Sequence, residues 1–330
     1  MNCPRICFPF VTILLIVLLP GVTSLEAVGP VPQADSAKFV EAVGLYEERE
    51  FNDSHRILSD LIEAGSIHPV YYYYLGLIYH EVEEYERAKE NYFKAAELDS
   101  TYPDPWSDLA VLHRQNGDLE AAIKYGRKCV SIDSTFTNGY LNLGTAYTHS
   151  GDTAAANKAF LTAAALDPDR VYDLGTQILV QNNSPEYALL YFEYVLAIYP
   201  DHPLALLYSA QCFRMLDLPE EAEIRLSYGV ETCPMDFETF DIIYASYFRI
   251  LFDLGKFEEI LSNSAFRVGS EYAPSHYFNA LAHFRLGNLE ESEKSAREYF
   301  RLAEETSPED LTSWLEQEAN TSAERQAAGR

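Results

Sequence analysis

Residues 68–80, HPVYYYYLGLIYH, place Tyr71, Tyr72, Tyr73 and Tyr74 in succession, with Tyr79 shortly after. Phenols that converge can relay a radical or cage a ligand. On a helix, however, consecutive residues leave the axis about 100° apart, which spreads the rings. Tyr72 shares a stripe with Leu75 and Tyr79 and is expected inside. Tyr71 and Tyr74 are expected to meet neighbouring helices or solvent. Tyr73 is expected to stay partly exposed, the one functional residue of the run.

The other residues able to do chemistry form no recognisable set. The eight histidines are scattered, without His-Glu-x-x-His or Cys-x-x-Cys spacing. There is no Asp-rich calcium loop, no Gly-x-Ser-x-Gly turn and no Gly-rich phosphate loop. Acid pairs such as Glu83-Glu84 and Glu290-Glu291 stand at polar helix starts, where the partial positive charge of a helix N-terminus accounts for them. The sequence therefore predicts no catalytic residue, no metal and no cofactor.

Charge narrows the partners. Against 24 Lys+Arg the chain carries 51 Asp+Glu, a formal net charge of −27. A field of that sign repels nucleic-acid phosphates and anionic lipid surfaces. With 48% hydrophobic residues the 330-residue chain can still bury a sizeable core.

The N-terminus reads as an export signal. Arg5 and the amine precede the apolar stretch Phe8 to Leu19; Pro20-Gly21 breaks it, and Val22-Thr23-Ser24 supplies small residues for cleavage. The stretch is short for a bilayer core, which takes roughly 20 helical residues. Residues 1–24 are thus a signal peptide or, alternatively, an uncleaved anchor, and 25–34 a linker. This places the chain outside the cytoplasm, periplasmic or secreted, with membrane contact only through an uncleaved N-terminus. Cleavage leaves Cys129, Cys212 and Cys233, an odd number, expected as free thiols packed like small apolar groups.

The elements that position these residues recur. Ala88, Ala122, Ala156, Ala188 and Ala222 follow steps of 34, 34, 32 and 34. Tyr92, Gly126, Phe160, Phe192 and Leu226 keep the same steps, as do Tyr79, His113, Tyr147, Leu179 and Phe213. Each period holds two amphipathic helical patterns joined by a turn such as Asn116-Gly117-Asp118 or Ser150-Gly151-Asp152. One such pair cannot bury its apolar face alone, so pairs must stack.

The motif Tyr72-x2-Leu75-Gly76-x2-Tyr79, then Tyr85-x2-Ala88-x3-Tyr92-x2-Ala95, resembles the tetratricopeptide repeat family. Trp106-x2-Leu109-Ala110 and Tyr140-x2-Leu143-Gly144-x2-Tyr147 open two further copies; weaker ones start near residues 35, 169 and 203. A four-residue insertion after Pro234 precedes a degenerate copy at Gly255-Lys256-Phe257, and the last carries Gly287-Asn288-Leu289-Glu290. About eight repeats then cover 35–306. Ser307-Pro308-Glu309-Asp310 starts a capping helix, 307–319, and 320–330 is a polar tail expected to be disordered.

The resemblance implies an all-α, right-handed superhelical solenoid of antiparallel helix pairs, and a non-catalytic scaffold that binds a peptide or protein segment in a concave groove lined by first helices. Carried over by position, the groove candidates are Tyr73, Leu77, His80, Arg114, Thr145, Gln177, Gln211, Arg214 and Arg249. The arginines could receive carboxylates of an extended peptide. The basic and asparagine-rich clamp that binds chaperone C-termini in some members is missing, since Tyr73 and Leu77 hold its places. The asparagine run of members attached to sugar-transfer enzymes is reduced to Asn142, with Asp108 before it. A membrane-tethered envelope or secretion assembly factor and the accessory subunit of an enzyme are the alternatives.

Overall fold

The computed structural model describes residues 31–234, 239–263, 272–304, 306–308 and 310–328, with side chains to residue 320. The segment expected as an export signal and most of the expected linker lie outside these residues. The described residues hold seventeen α-helices and no strand. They divide into two units, Met1–Thr162 and Ala163–Arg330.

The first unit contains α1 (Ser36–Glu47), α2 (Phe51–Glu63), α3 (Pro69–Glu81), α4 (Tyr85–Leu98), α5 (Pro103–Gln115), α6 (Leu119–Ile132), α7 (Thr137–Ser150) and most of α8 (Thr153–Leu166). The second contains α9 (Pro168–Asn182), α10 (Pro185–Ile198), α11 (Pro203–Met215), α12 (Pro219–Thr232), α13 (Phe240–Asp253), α14 (Phe257–Asn263), α15 (Ala273–Arg285), α16 (Leu289–Leu302) and α17 (Leu311–Ala328). Helices adjacent in sequence pack on each other within each unit.

Backbone geometry marks eight pairs. Between the two helices of each stands one residue with positive φ: Arg49, Glu83, Gly117, Gly151, Asn183, Asp217, Gly255 and Gly287. Their steps are 34, 34, 34, 32, 34, 38 and 32. The step of 38 carries the four-residue insertion expected after Pro234. The first step of 32 carries the deletion, which falls where Asp167 alone separates α8 from α9. Glycine suits this left-handed turn; a side chain there costs about 1–2 kcal/mol. Four repeats bear that cost, which is why their turns escape a search for Gly.

The caps follow. Asp118 accepts from the Ala121 amide at 3.1 Å and Asp152 from that of Ala155 at 3.0 Å. Pro103, Pro168 and Pro203 do not merely stop the preceding helix; each occupies the first position of the next, where its missing N–H is harmless.

Inside three of the pairs, a glycine lets the helices approach. A Cβ on Gly76 would lie 2.5 Å from the Tyr92 ring; on Gly144 and on Gly175 it would lie 2.8 Å from Phe160 and Phe192. In the first and eighth pairs the recurring alanine of the second helix is a buried serine. Ser54 donates to the Ala42 carbonyl and Ser292 to that of Ala280, both at 2.7 Å, so neither hydroxyl is orphaned.

Three tyrosines of the run are core. Tyr71 and Tyr74 turn towards α1, with ring centroids 5.6 and 5.5 Å from Phe39; Tyr74 also stands edge-on to Tyr46 at 5.7 Å. Tyr73 turns the other way, 5.9 Å from Tyr92 and 5.2 Å from Tyr102. Tyr72 is half-buried. The expectation of a partly exposed Tyr73 is overturned: it is only 3% exposed, and Leu77 one turn on is 5% exposed. An inner first helix is touched by the preceding pair, by its own partner helix and by the next first helix. A single-helix wheel shows only one of these neighbours.

In the second unit, Phe240, Tyr244 and Phe248 of α13 build the core with Phe278 of α15, the closest rings 4.5 Å apart. Trp314 of α17 stacks on Tyr299 of α16. Leu311, Leu315 and Ala319 are buried, so α17 caps the last pair. It runs to Ala328, through most of the segment expected as a disordered tail. Ala, Glu, Arg and Gln in residues 320–328 are helix formers once a docked turn has nucleated them. Cys129, Cys212 and Cys233 are free and buried.

Candidate functional site

The first helices α3, α5 and α7 of the first unit are joined by hydrogen bonds that repeat in register. His80 meets Gln115 at 3.2 Å, and Asn142 donates to Ser107 at 2.8 Å; each pair is separated by 35 residues. Polar side chains thus link α3 to α5 and α5 to α7. His80 is half-buried, its ring beside Tyr85, and burial lowers its pKa against smaller raising effects of Gln115 and Glu81. Arg114 is half-buried. Thr145 is half-buried too and spends its hydroxyl on its own helix, donating to Leu141 O at 2.9 Å. Tyr73 and Leu77 lie beneath this face.

Beneath it also stands an acidic pair that the groove candidates omit. Asp104 is 3% exposed, and Asp108, one turn on, is half-buried. Burial pushes the Asp108 carboxyl up to about 7; the Tyr73 hydroxyl, donating to it, pulls down, and Asp104 pushes up further. The same two carboxylates, after burial, raise the Cys129 thiol. The sequence signal was present: two Asp four apart on a helix whose neighbours are Leu, Ala and Val. It reads as surface until the aromatic wall of Tyr73, Tyr92 and Tyr102 is known to stand over it.

In the second unit, Gln177 of α9 and Gln211 and Arg214 of α11 are exposed. Among the described residues Gln177 reaches only Gln181, 3.4 Å away on its own helix. Arg214 has no carboxylate within ion-pair distance among the described residues. Arg249 of α13 is different. It is half-buried and hydrogen-bonds Tyr277, whose hydroxyl donates to Glu318 of α17 at 2.8 Å. The capping helix therefore engages Arg249 in the core's own network, which removes it from an open face. Sequence position could not show this, because the docking of α17 is tertiary.

These faces can hold a chain by hydrogen bonds and charge. Among the described residues no three His, Cys, Asp or Glu side chains gather as a metal site, and no helix is long and apolar enough to cross a membrane.

Comparison with known proteins agrees with this geometry. The tetratricopeptide repeat family matches residues 70–102, 103–136 and 137–170, the pairs α3–α4, α5–α6 and α7–α8. No curated protein matches the chain. Among solved structures, a MamA protein is similar at 22% identity over 50% of this chain and 91% of its own, with a TM-score of 0.32. PilF of Pseudomonas aeruginosa is similar at 20% identity over 76% and 97%, with a TM-score of 0.35. PilW, a type IV pilus biogenesis factor, is similar at 14% identity over 64% and 99%, with a TM-score of 0.43. At these values the likenesses carry no argument about partner or place. Residues 70–170 thus match as three tetratricopeptide repeats, and the same helix pair recurs before and after them.

Proposed function

We propose that the protein is an exported, non-catalytic scaffold that holds a peptide or protein segment against the polar faces of its first helices. Tetratricopeptide-repeat proteins bind protein or peptide partners, and the helix-pair stacking seen here serves that role without a reacting group. The observation that carries the reading is the exposed Arg214, which has no acid within ion-pair distance among the described residues, in a chain of net charge −27. Gln211 on the same helix and Gln177 on α9 are exposed with it. Amides bond extended backbone, and a guanidinium takes a carboxylate in a bidentate grip. In the first unit, Arg114 and His80 are half-buried on α5 and α3.

Export rests on the apolar stretch Phe8 to Leu19 and the small residues after it; the compartment would be periplasmic or secreted. A photo-crosslinker at Gln211, placed in the native protein, should capture a discrete partner, and Arg214→Glu should abolish that product while the helical signal stays unchanged. Capture that ignores the charge reversal refutes this face as the site. N-terminal sequencing of the native chain should begin near Leu25. An intact Met1 would instead favour the tethered assembly factor. Turnover by the purified mature chain would favour an enzyme subunit.

A further inference from the structure

Five cations of the first unit sit against acids: Arg49 with Glu81, Arg56 with Asp53, Arg87 with Glu84 and Lys89 with Glu86 at 2.7 to 3.0 Å, and Lys94 with Glu97 at 3.6 Å. Three exposed cations of α6 break this habit. Lys124, Arg127 and Lys128 have no carboxylate within ion-pair distance among the described residues, although acids outnumber bases about two to one in the chain. Each is held over an aromatic ring instead. Lys124 Nζ lies 5.4 Å from the Tyr125 centroid, and Lys128 Nζ 6.0 Å from that of Trp106. The Arg127 guanidinium lies 5.6 Å from the Tyr147 ring, and its Nε donates to the Tyr147 hydroxyl at 2.7 Å.

Those cations rim a cavity. Phe93 of α4, Trp106 of α5 and Tyr125 of α6 wall an open pocket of about 620 Å³ between two successive second helices. Trp106 and Tyr125 are stacked, with an interplanar angle of 24° and centroids 5.8 Å apart. Phe93 stands edge-on to both, 6.3 and 5.7 Å away. The three rings therefore brace one another. None of the groove candidates lines this pocket.

A rigid aromatic wall takes a flat or branched apolar side chain. Cations already seated over rings keep their charge free for an incoming anion, because cation–π attraction does not neutralise them. We propose that this pocket is a second binding site, occupied by an acidic peptide segment of a partner that seats one apolar or aromatic side chain on the Phe93–Trp106–Tyr125 wall and places carboxylates on Lys124, Arg127 and Lys128. Charge decides the class of occupant. Three cations match two or three carboxylates flanking one anchor. A phosphate backbone or an anionic lipid surface would extend past them into the field of the remaining acids, which repels it. The inference does not depend on the first-helix faces binding anything.

The test is calorimetric titration of the full chain with the blocked peptide Glu-Glu-Phe-Glu, beside Gln-Gln-Phe-Gln and Glu-Glu-Ala-Glu. Only the first should bind measurably, and more weakly as salt is raised. Lys124→Glu with Lys128→Glu should weaken it by about tenfold or more, while Lys124→Arg with Lys128→Arg should retain it. Arg214→Glu should leave it unchanged, which separates this site from the first-helix reading. Absence of saturable binding overturns the proposal, as does equal binding of the glutamine peptide. Equal binding of anionic vesicles overturns it as well. So does self-association that the double Glu variant abolishes, since the occupant would then be a second copy.

Discussion

Asp108→Asn isolates the electrostatic cost of the acidic pair under the first-helix face. Burial, opposed by the Tyr73 hydroxyl and reinforced by Asp104, lifts the Asp108 carboxyl from 3.8 to about 7. A carboxyl whose pKa is raised by folding binds more protons folded than unfolded. Stability therefore falls as pH rises from 3.8 and stops falling above about 7. At about 1.4 kcal/mol per unit, the full shift corresponds to about 4 kcal/mol. Asp108 keeps some contact with solvent, and screening there cuts the figure to about 1–2 kcal/mol. Asparagine keeps an oxygen for the Tyr73 hydroxyl and carries no charge. The variant should match the wild type near the acid end, then gain on it, with the gap levelling above neutrality at about 2–8 °C in Tm. Thermal melts followed by circular dichroism across this pH range measure it. A gap that does not change with pH, or a variant less stable than wild type above neutrality, refutes the reasoning.

Gly76→Ala drives a methyl to 2.5 Å from the Tyr92 ring and should cost about 1–3 kcal/mol despite the better helix propensity. Gly44→Ala on α1, with nothing within 4 Å, should instead stabilise by about 0.5–1 kcal/mol; the urea midpoints of the two variants must move in opposite directions. Glu83→Gly and Asp217→Gly, at positive-φ turns, should each raise the midpoint by about 1 kcal/mol, and a loss at both would refute the strain argument. Burial pushes the Cys212 thiol up to about 12 and raises that of Cys129, so a thiol reagent at neutral pH should leave both unlabelled until denaturant is added.

The repeat step of 34, its 32-residue lapse and the insertion after Pro234 were all legible, because the same kinds of residue recur at the same place in successive helix pairs. The tyrosines at 71–74 were legible as packing. Their directions were not, since they depend on which helices stand on each side of α3. The serine-for-alanine exchanges at Ser54 and Ser292 were silent because a single hydrogen bond to a carbonyl makes serine as acceptable as alanine there.

The sequence by itself determined the module, its number and the identity of most turn and cap residues, all of which follow from local spacing along one or two helices. Tertiary structure alone decided which polar residues are open. It buried Tyr73 and Leu77, gave Arg249 to Tyr277 and the capping helix, and raised Asp108 to neutrality. It also stood three α6 cations on aromatic rings. Each of these depends on a neighbour one repeat away, and exposure is a property of the stack rather than of the helix that carries the residue.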